Sequence, residues 1–171
     1  MITDTHTHLY SEQFDEDRQE MMQRAKDAGV SRFFIPAIDA SHTDSMIKLE
    51  NEFPNDVFLM MGLHPSSVKE NYLEELAHVR EWIDKKAFYA IGEIGIDLFW
   101  DKTFLVQQQA AFKTQIKWAK EKKLPIVIHC RDAFDEVFEI LEIEKSDDLR
   151  GVFHCFTGCL FYTSDAAYEY R

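Results

Sequence analysis

The stretch that decides the fold is "LPIVIHC", Leu124–Cys130. Three β-branched residues in a row, Ile126, Val127 and Ile128, favour extended backbone, and Pro125 at the entry bars a helix from continuing into it. The run is apolar at successive positions, so both of its faces are buried, as in a parallel sheet covered by helices. Immediately before it, Phe104–Lys122 has helical spacing, with Phe112, Ile116 and Ala119 on one face and lysines closing the last turn. Immediately after it, Phe134–Ile143 is again helical and leads to a further strand, "GVFHCF" at Gly151–Phe156. Strand, helix and strand in that order make a βαβ unit.

Towards the N-terminus the same rhythm repeats. Ile2–Asp4 is short and extended, and Glu12–Ala28 is helical through Phe14, Met21, Met22 and Ala25, with Gly29 as its closing residue. "SRFFIPAI" (Ser31–Ile38) is a strand, and a helix runs from Ser41, its N-cap, to Phe53. "DVFLMMGLHP" (Asp56–Pro65) is the third apolar run. A helix over Tyr72–Asp84 precedes "AFYAIGEIGID" (Ala87–Asp97), a strand that enters a glycine-punctuated loop. Six strands alternating with helices predict an α/β fold, a parallel (β/α) barrel of the TIM type. A complete barrel takes about 250 residues, so the 171 residues here are expected to supply about six of its eight units. One domain over residues 1–158 is expected, with 159–171 as a tail outside the pattern. Two free sheet edges would then invite self-association unless covered.

Charge and cysteines restrict the function classes. A formal net charge of −12 repels phosphate backbones and anionic membranes at long range. A polyanionic substrate therefore needs local positive charge, from bound metal or a basic cluster. The Lys117–Lys123 cluster is expected to be a solvated helix end. No stretch is long and apolar enough for a membrane span, and no basic-then-apolar leader opens the chain. The three cysteines, Cys130, Cys155 and Cys159, form no CxxC motif and suggest reduced thiols and a cytoplasmic protein.

The residues that can carry chemistry gather at strand ends. His6 and His8 follow the first strand, His64 the third, Glu93 the fourth, His129 the fifth and His154 the sixth. Barrels and open α/β sheets place their active sites on that carboxyl face. Side chains two apart on extended backbone point the same way, so His6 and His8 can share one cation. Taken alone, such a pair also fits two exposed or hydrogen-bonded histidines. Glu93, in an apolar run between Gly92 and Gly95, needs a buried partner, and a carboxylate can span two cations. The constellation then suggests two neighbouring divalent sites, with His6 and His8 on one, His129 and His154 on the other, and Glu93 between. Paired cations steady both oxygens of a hydrolytic displacement. His42 and His78 fall in helices and are expected to be solvent-exposed.

Several motifs, in order, resemble the TatD family of metal-dependent deoxyribonucleases: "DTHTHL" at 4–9, "GLHP" at 62–65, "IGEIGID" at 91–97, "LPIVIHCRDA" at 124–133 and "VFHCFTG" at 152–158. The "QQQAAFKTQ" helix resembles that family's QxxxFxxQ through Gln108, Phe112 and Gln115. The resemblance implies an amidohydrolase-like TIM barrel and two divalent cations (Mg²⁺, Mn²⁺ or Zn²⁺). It implies exonuclease-like hydrolysis of phosphodiesters in DNA, with Glu93 catalytic and His6, His8, Glu93, His129 and His154 as metal ligands. His64 and Arg131 become candidates for substrate phosphate, Arg131 being equally suited to a helix-start ion pair. Two departures stand out. The family's further metal-binding Asp, after the last barrel strand, has no matching segment here, and Asp165 is not given its role. Phe99 stands where relatives often carry Tyr. The expectation is thus a truncated family member. The alternatives are a non-catalytic fragment with residual metal binding, and an amidohydrolase-like enzyme acting on C–N or ester bonds.

Overall fold

The computed structural model describes residues 1–157, so the expected 159–171 tail lies outside the described residues. Six strands alternate with five α-helices: β1 Ile2–Asp4, α1 Arg18–Asp27, β2 Val30–Ile35, α2 Thr43–Glu52, β3 Val57–Leu59, α3 Tyr72–Lys85, β4 Ile91–Asp97, α4 Leu105–Lys122, β5 Ile126–Arg131, α5 Phe134–Glu144 and β6 Gly151–Phe153. The strands form two three-stranded sheets, β1-β2-β3 and β4-β5-β6, with every pairing parallel. Met61 joins them. It bridges to Ile91, donates its N–H to Ala90 O at 3.2 Å, and accepts from Gly92 N at 2.9 Å. The strands therefore follow one another in sequence order, as in an incomplete (β/α) barrel.

Strand alternation divides the core in two. Phe33, Ile35, Leu59, Met61, Ile91, Ile126 and Ile128 face the helices and share one cluster with Met46, Leu49, Phe112, Ile116 and Ile140. Their neighbours in sequence, Phe34, Met60, Ala90 and Val127, form a small separate cluster on the opposite face. Burying each large apolar side chain contributes about 1.5–3 kcal/mol, so the helix-facing side carries most of the stability. Among the described residues, β1 and β6 are the outer strands, and Ile2 and Val152 on them are exposed.

Three local readings change. The helix expected over Glu12–Ala28 is a 3-10 turn at Glu12–Phe14 followed by α1 from Arg18. The reason lies in the Arg18 guanidinium, which donates to Leu9 O at 2.8 Å, Ser11 O at 3.1 Å and Asp15 Oδ1 at 2.6 Å. These bonds hold residues 9–15 in a loop around that single turn. Gly29 does close α1, at φ +96° with its N–H on Lys26 O, in the left-handed region that glycine enters without strain. The cap before α2 is Asp39, whose carboxylate accepts from Ser41 N ahead of a 3-10 turn. His42 and His78 are half-buried, His42 Nδ1 lying 2.8 Å from Asp39 Oδ1 and His78 Nε2 2.8 Å from Thr43 Oγ1.

Candidate metal centre

Glu93 is only 2% exposed, and four imidazoles converge on it. Oε2 lies 3.1 Å from His6 Nε2, 3.8 Å from His64 Nε2 and 4.0 Å from His8 Nε2, and Oε1 lies 3.2 Å from His129 Nδ1. His6 and His8 follow β1, His64 follows β3, and Glu93 and His129 stand in β4 and β5, so they meet because parallel strands run towards one side. Glu93 reaches this position because β4 presses against β5. A Cβ on Gly95 would stand 2.0 Å from His129 O, and Gly95 sits at φ +142°. Only glycine lets the two backbones come this close.

Hydrogen bonds behind the imidazoles set which nitrogen carries the proton. The Tyr10 hydroxyl donates to Pro36 O at 3.1 Å, so at 2.8 Å it accepts from His8 Nδ1–H. His8 thus turns a lone pair on Nε2 towards Glu93. The His129 Nε2–H donates to the buried Asp97 carboxylate at 2.8 Å, so the neutral ring turns its Nδ1 lone pair towards Glu93 Oε1, while the protonated ring donates there from Nδ1–H. His64 is the opposite case. Its Nδ1 accepts from Ser66 N at 3.1 Å, so its Nε2 carries a hydrogen into the site. His6 Nδ1 is buried with no hydrogen-bond partner among the described residues.

The electrostatics agree with this arrangement. Burial, then the charge of His6, lowers the pKa of His8, and burial lowers His64 to about 4. Burial and the neighbouring His6 also lower His154. These rings are neutral near pH 7, the form that binds cations. Burial would raise the Glu93 carboxyl, but hydrogen bonds from His129 and His6 outweigh it and hold the group well below the usual carboxylate range. Burial would lower His129, and its bonds to Glu93 and Asp97 raise it instead. A neutral His129 turns a lone pair at a carboxylate oxygen, so that gap calls for a proton or a cation. Neutral imidazoles, an ionised carboxylate and an orphaned ring nitrogen fit a divalent cation. By distance, two groups among the described residues could hold one: His6, His8 and Glu93, and Glu93 with His129 and His64, although His64 turns a hydrogen rather than a lone pair into the site.

All the residues singled out in the sequence come together around one cleft of about 730 Å³. His154 reaches it but stands apart from both groups, its ring stacked on His6 with centroids 3.4 Å apart. Among the described residues Arg131 makes no helix-start ion pair. Its guanidinium lies over the Phe99 ring, 3.6 Å from the centroid. Three parts of the site were not anticipated. Asp97 orients His129, and Tyr10 orients His8. The third is α4: the Gln108 amide accepts from Asp97 N and donates to Asp97 O, at 2.9 and 3.1 Å, while Gln115 makes the same pair to Leu63 at 2.7 and 3.2 Å.

Residues 3–168 match the family model described as TatD related DNase. The chain belongs to this family. The match runs on beyond residue 158, where the sequence pattern had placed a boundary. Among relatives, the chain is 37% identical over 158 residues to the uncharacterized metal-dependent hydrolase YabD of Bacillus subtilis, covering 92% of this chain and 62% of that protein. It is 36% identical over 150 residues to the 3'-5' ssDNA/RNA exonuclease TatD of a Rahnella species, covering 88% of this chain and 57% of that one. The crystal structure of YjjV, a TatD homologue from Escherichia coli K12, matches with a TM-score of 0.87 at 30% identity, over 95% of this chain and 63% of that one. A TatD family hydrolase from Entamoeba histolytica matches with a TM-score of 0.80 at 25% identity, over 98% and 62%. The chain thus spans about 60% of the length of these TatD relatives. No helix among the described residues is long and apolar enough to cross a membrane.

Proposed function

We propose that this chain carries the metal centre of a divalent-cation-dependent hydrolase that cleaves phosphodiester bonds in nucleic acid. The observation that carries this reading is the buried Glu93 carboxylate with four imidazoles within 4.0 Å of it. Such a cluster, in a chain of net charge −12, concentrates affinity for cations at the one place where a phosphate must bind. Two ions, Mg²⁺, Mn²⁺ or Zn²⁺, are proposed. His6 and His8 would hold one and His129 the other, with the Glu93 carboxylate between them as a ligand available to either. His154, from the end of β6, is assigned with His129 by its strand position. When bound, the cations supply positive charge to a phosphoryl oxygen and lower the pKa of water.

The chain's own residues do the rest. Tyr10 and Asp97 keep the His8 and His129 lone pairs pointing inward, so affinity does not depend on chance tautomers. His64, which presents an N–H, is a hydrogen-bond donor for a substrate phosphate, the role the family resemblance suggested for it. Arg131 is the only Lys or Arg among the described residues lining the cleft, and offers a second, bidentate donor. The similarity to an exonuclease of single-stranded DNA and RNA supports nucleic acid as the polymer.

The test is cleavage of end-labelled single-stranded DNA by this chain with Mn²⁺ or Mg²⁺ against the same reaction in chelator, beside Glu93→Ala. Metal-dependent cleavage that Glu93→Ala abolishes is the expected result. Absence of cleavage in the intact chain, or cleavage undiminished in the variant, would overturn the reading.

A further inference from the structure

Beside the cleft, past the end of β4, lies an aromatic pair that the metal centre does not use. Trp100 is 78% exposed, and Phe99, next to it, is 45% exposed. Indole surface on this scale gains nothing from the chain's own core and is free to meet a partner. The pair is not loose. Asp97 Oδ1 accepts from Phe99 N at 3.0 Å, so the carboxylate that orients His129 also pins this turn. Phe99 packs edge-to-face on Trp100 with ring centroids 4.5 Å apart. Arg131 sits over Phe99, its guanidinium carbon 3.6 Å from that ring's centroid and 5.5 Å from the Trp100 ring's. Lys69 and Asp101 face one another at 3.7 Å beside the turn, so the nearby charges offset each other.

We infer that Trp100, backed by Phe99 and Arg131, is a stacking seat for a base of an unpaired nucleic-acid strand whose phosphate enters the cleft. The inference rests on the proposed function and adds to it the place where a base of the strand is held. An indole face accepts any base by stacking and reads no sequence. In a duplex those faces are stacked on neighbours, so only an unpaired segment or a frayed end can use the seat. The chain's charge gives the arrangement its purpose. With a net charge of −12, phosphates gain little at long range, and a contact independent of charge must hold the strand. Arg131 links the two modes, since the guanidinium held over Phe99 lines the cleft as well.

The experiment is fluorescence anisotropy of a labelled oligothymidylate and of an abasic chain of equal length, in chelator so that neither is cut. The intact chain should bind the oligothymidylate more tightly than the abasic backbone. Trp100→Ala should weaken the oligothymidylate by about fivefold or more while moving the abasic chain little. Trp100→Phe, which keeps a ring face, should restore most of the difference and guards against a folding defect. Val106→Ala, an exposed apolar truncation on α4, should leave both affinities unchanged. Equal affinity for the two polymers, or a Trp100→Ala variant that still prefers bases, would overturn the seat. Preference for bases without metal-dependent cleavage would uphold the seat and count against the hydrolase reading alone.

Discussion

Replacing Gln115 with leucine tests whether α4 positions the site. Gln115 is 1% exposed, and its amide makes two bonds to one residue, accepting from Leu63 N at 2.7 Å and donating to Leu63 O at 3.2 Å. Leu63 immediately precedes His64, so this clamp fixes the backbone from which the His64 ring leaves the segment after β3. Leucine nearly fills the space of glutamine, which keeps cavity formation small and leaves the two backbone groups as the main loss. Each buried group without a partner costs about 1–3 kcal/mol, giving about 2–6 kcal/mol for the pair. With a urea dependence of about 2 kcal/mol per molar, the smaller figure already moves the unfolding midpoint by about 1 M. The control is Gln109→Leu, a half-buried glutamine on the same helix, expected within about 0.5 kcal/mol of the parent chain. Gln108→Leu, which frees Asp97 N and O in the same way, should match Gln115→Leu. Urea unfolding followed by far-UV circular dichroism measures all three. If Gln115→Leu costs no more than Gln109→Leu, the clamp is not what holds the Leu63–His64 segment to α4.

Three further outcomes are expected. Saturating Mn²⁺ should raise the melting temperature of the parent chain, by the equivalent of about 2.7 kcal/mol at a hundredfold excess over Kd. Glu93→Ala and chelator should each remove that rise, and a rise that persists in the variant would place the cation elsewhere. Gly95→Ala puts a Cβ 2.0 Å from His129 O at a φ that side chains avoid, so it should cost more than about 3 kcal/mol. A variant with parental stability would mean that β4 and β5 are less closely apposed. Asp39 gives a pH dependence. Burial would raise its carboxyl, but hydrogen bonds from Ser41, His42 and Ser67 hold it below its ordinary 3.8. A depressed folded value contributes stability above the ordinary range and loses it as pH falls through the folded value. The stability gap between the parent chain and Asp39→Ala in urea titrations should therefore be full near pH 7 and shrink towards pH 3. A gap independent of pH would refute the assignment.

How much of this was legible in the sequence depends on how local the determining forces are. Strand and helix order was legible because burial on both faces writes itself as unbroken β-branched runs such as Ile126–Ile128, and helix ends write themselves as residues such as Gly29. The place of the ligands was legible for a related reason: parallel strands send every carboxyl end to one side, so histidines that follow separate strands must meet. The break in the expected first helix was not legible. It depends on Arg18 reaching back to carbonyls up to nine residues away, a contact that competes with helix formation without leaving a periodicity. The roles of the individual histidines were hidden more deeply. His8, His64 and His129 are chemically identical in the sequence, yet two present lone pairs to Glu93 and one presents a hydrogen. The difference resides in Tyr10, Ser66 and Asp97, which bond the far nitrogen. The partner of a histidine thus decides whether it can hold a cation or must donate to a phosphate, and a motif of histidines alone cannot distinguish ligand from donor. Asp97, four residues after Glu93 in "IGEIGID", was in plain view for this role. What the sequence could not say is that a buried carboxylate so near the centre faces the back of His129 rather than the cleft.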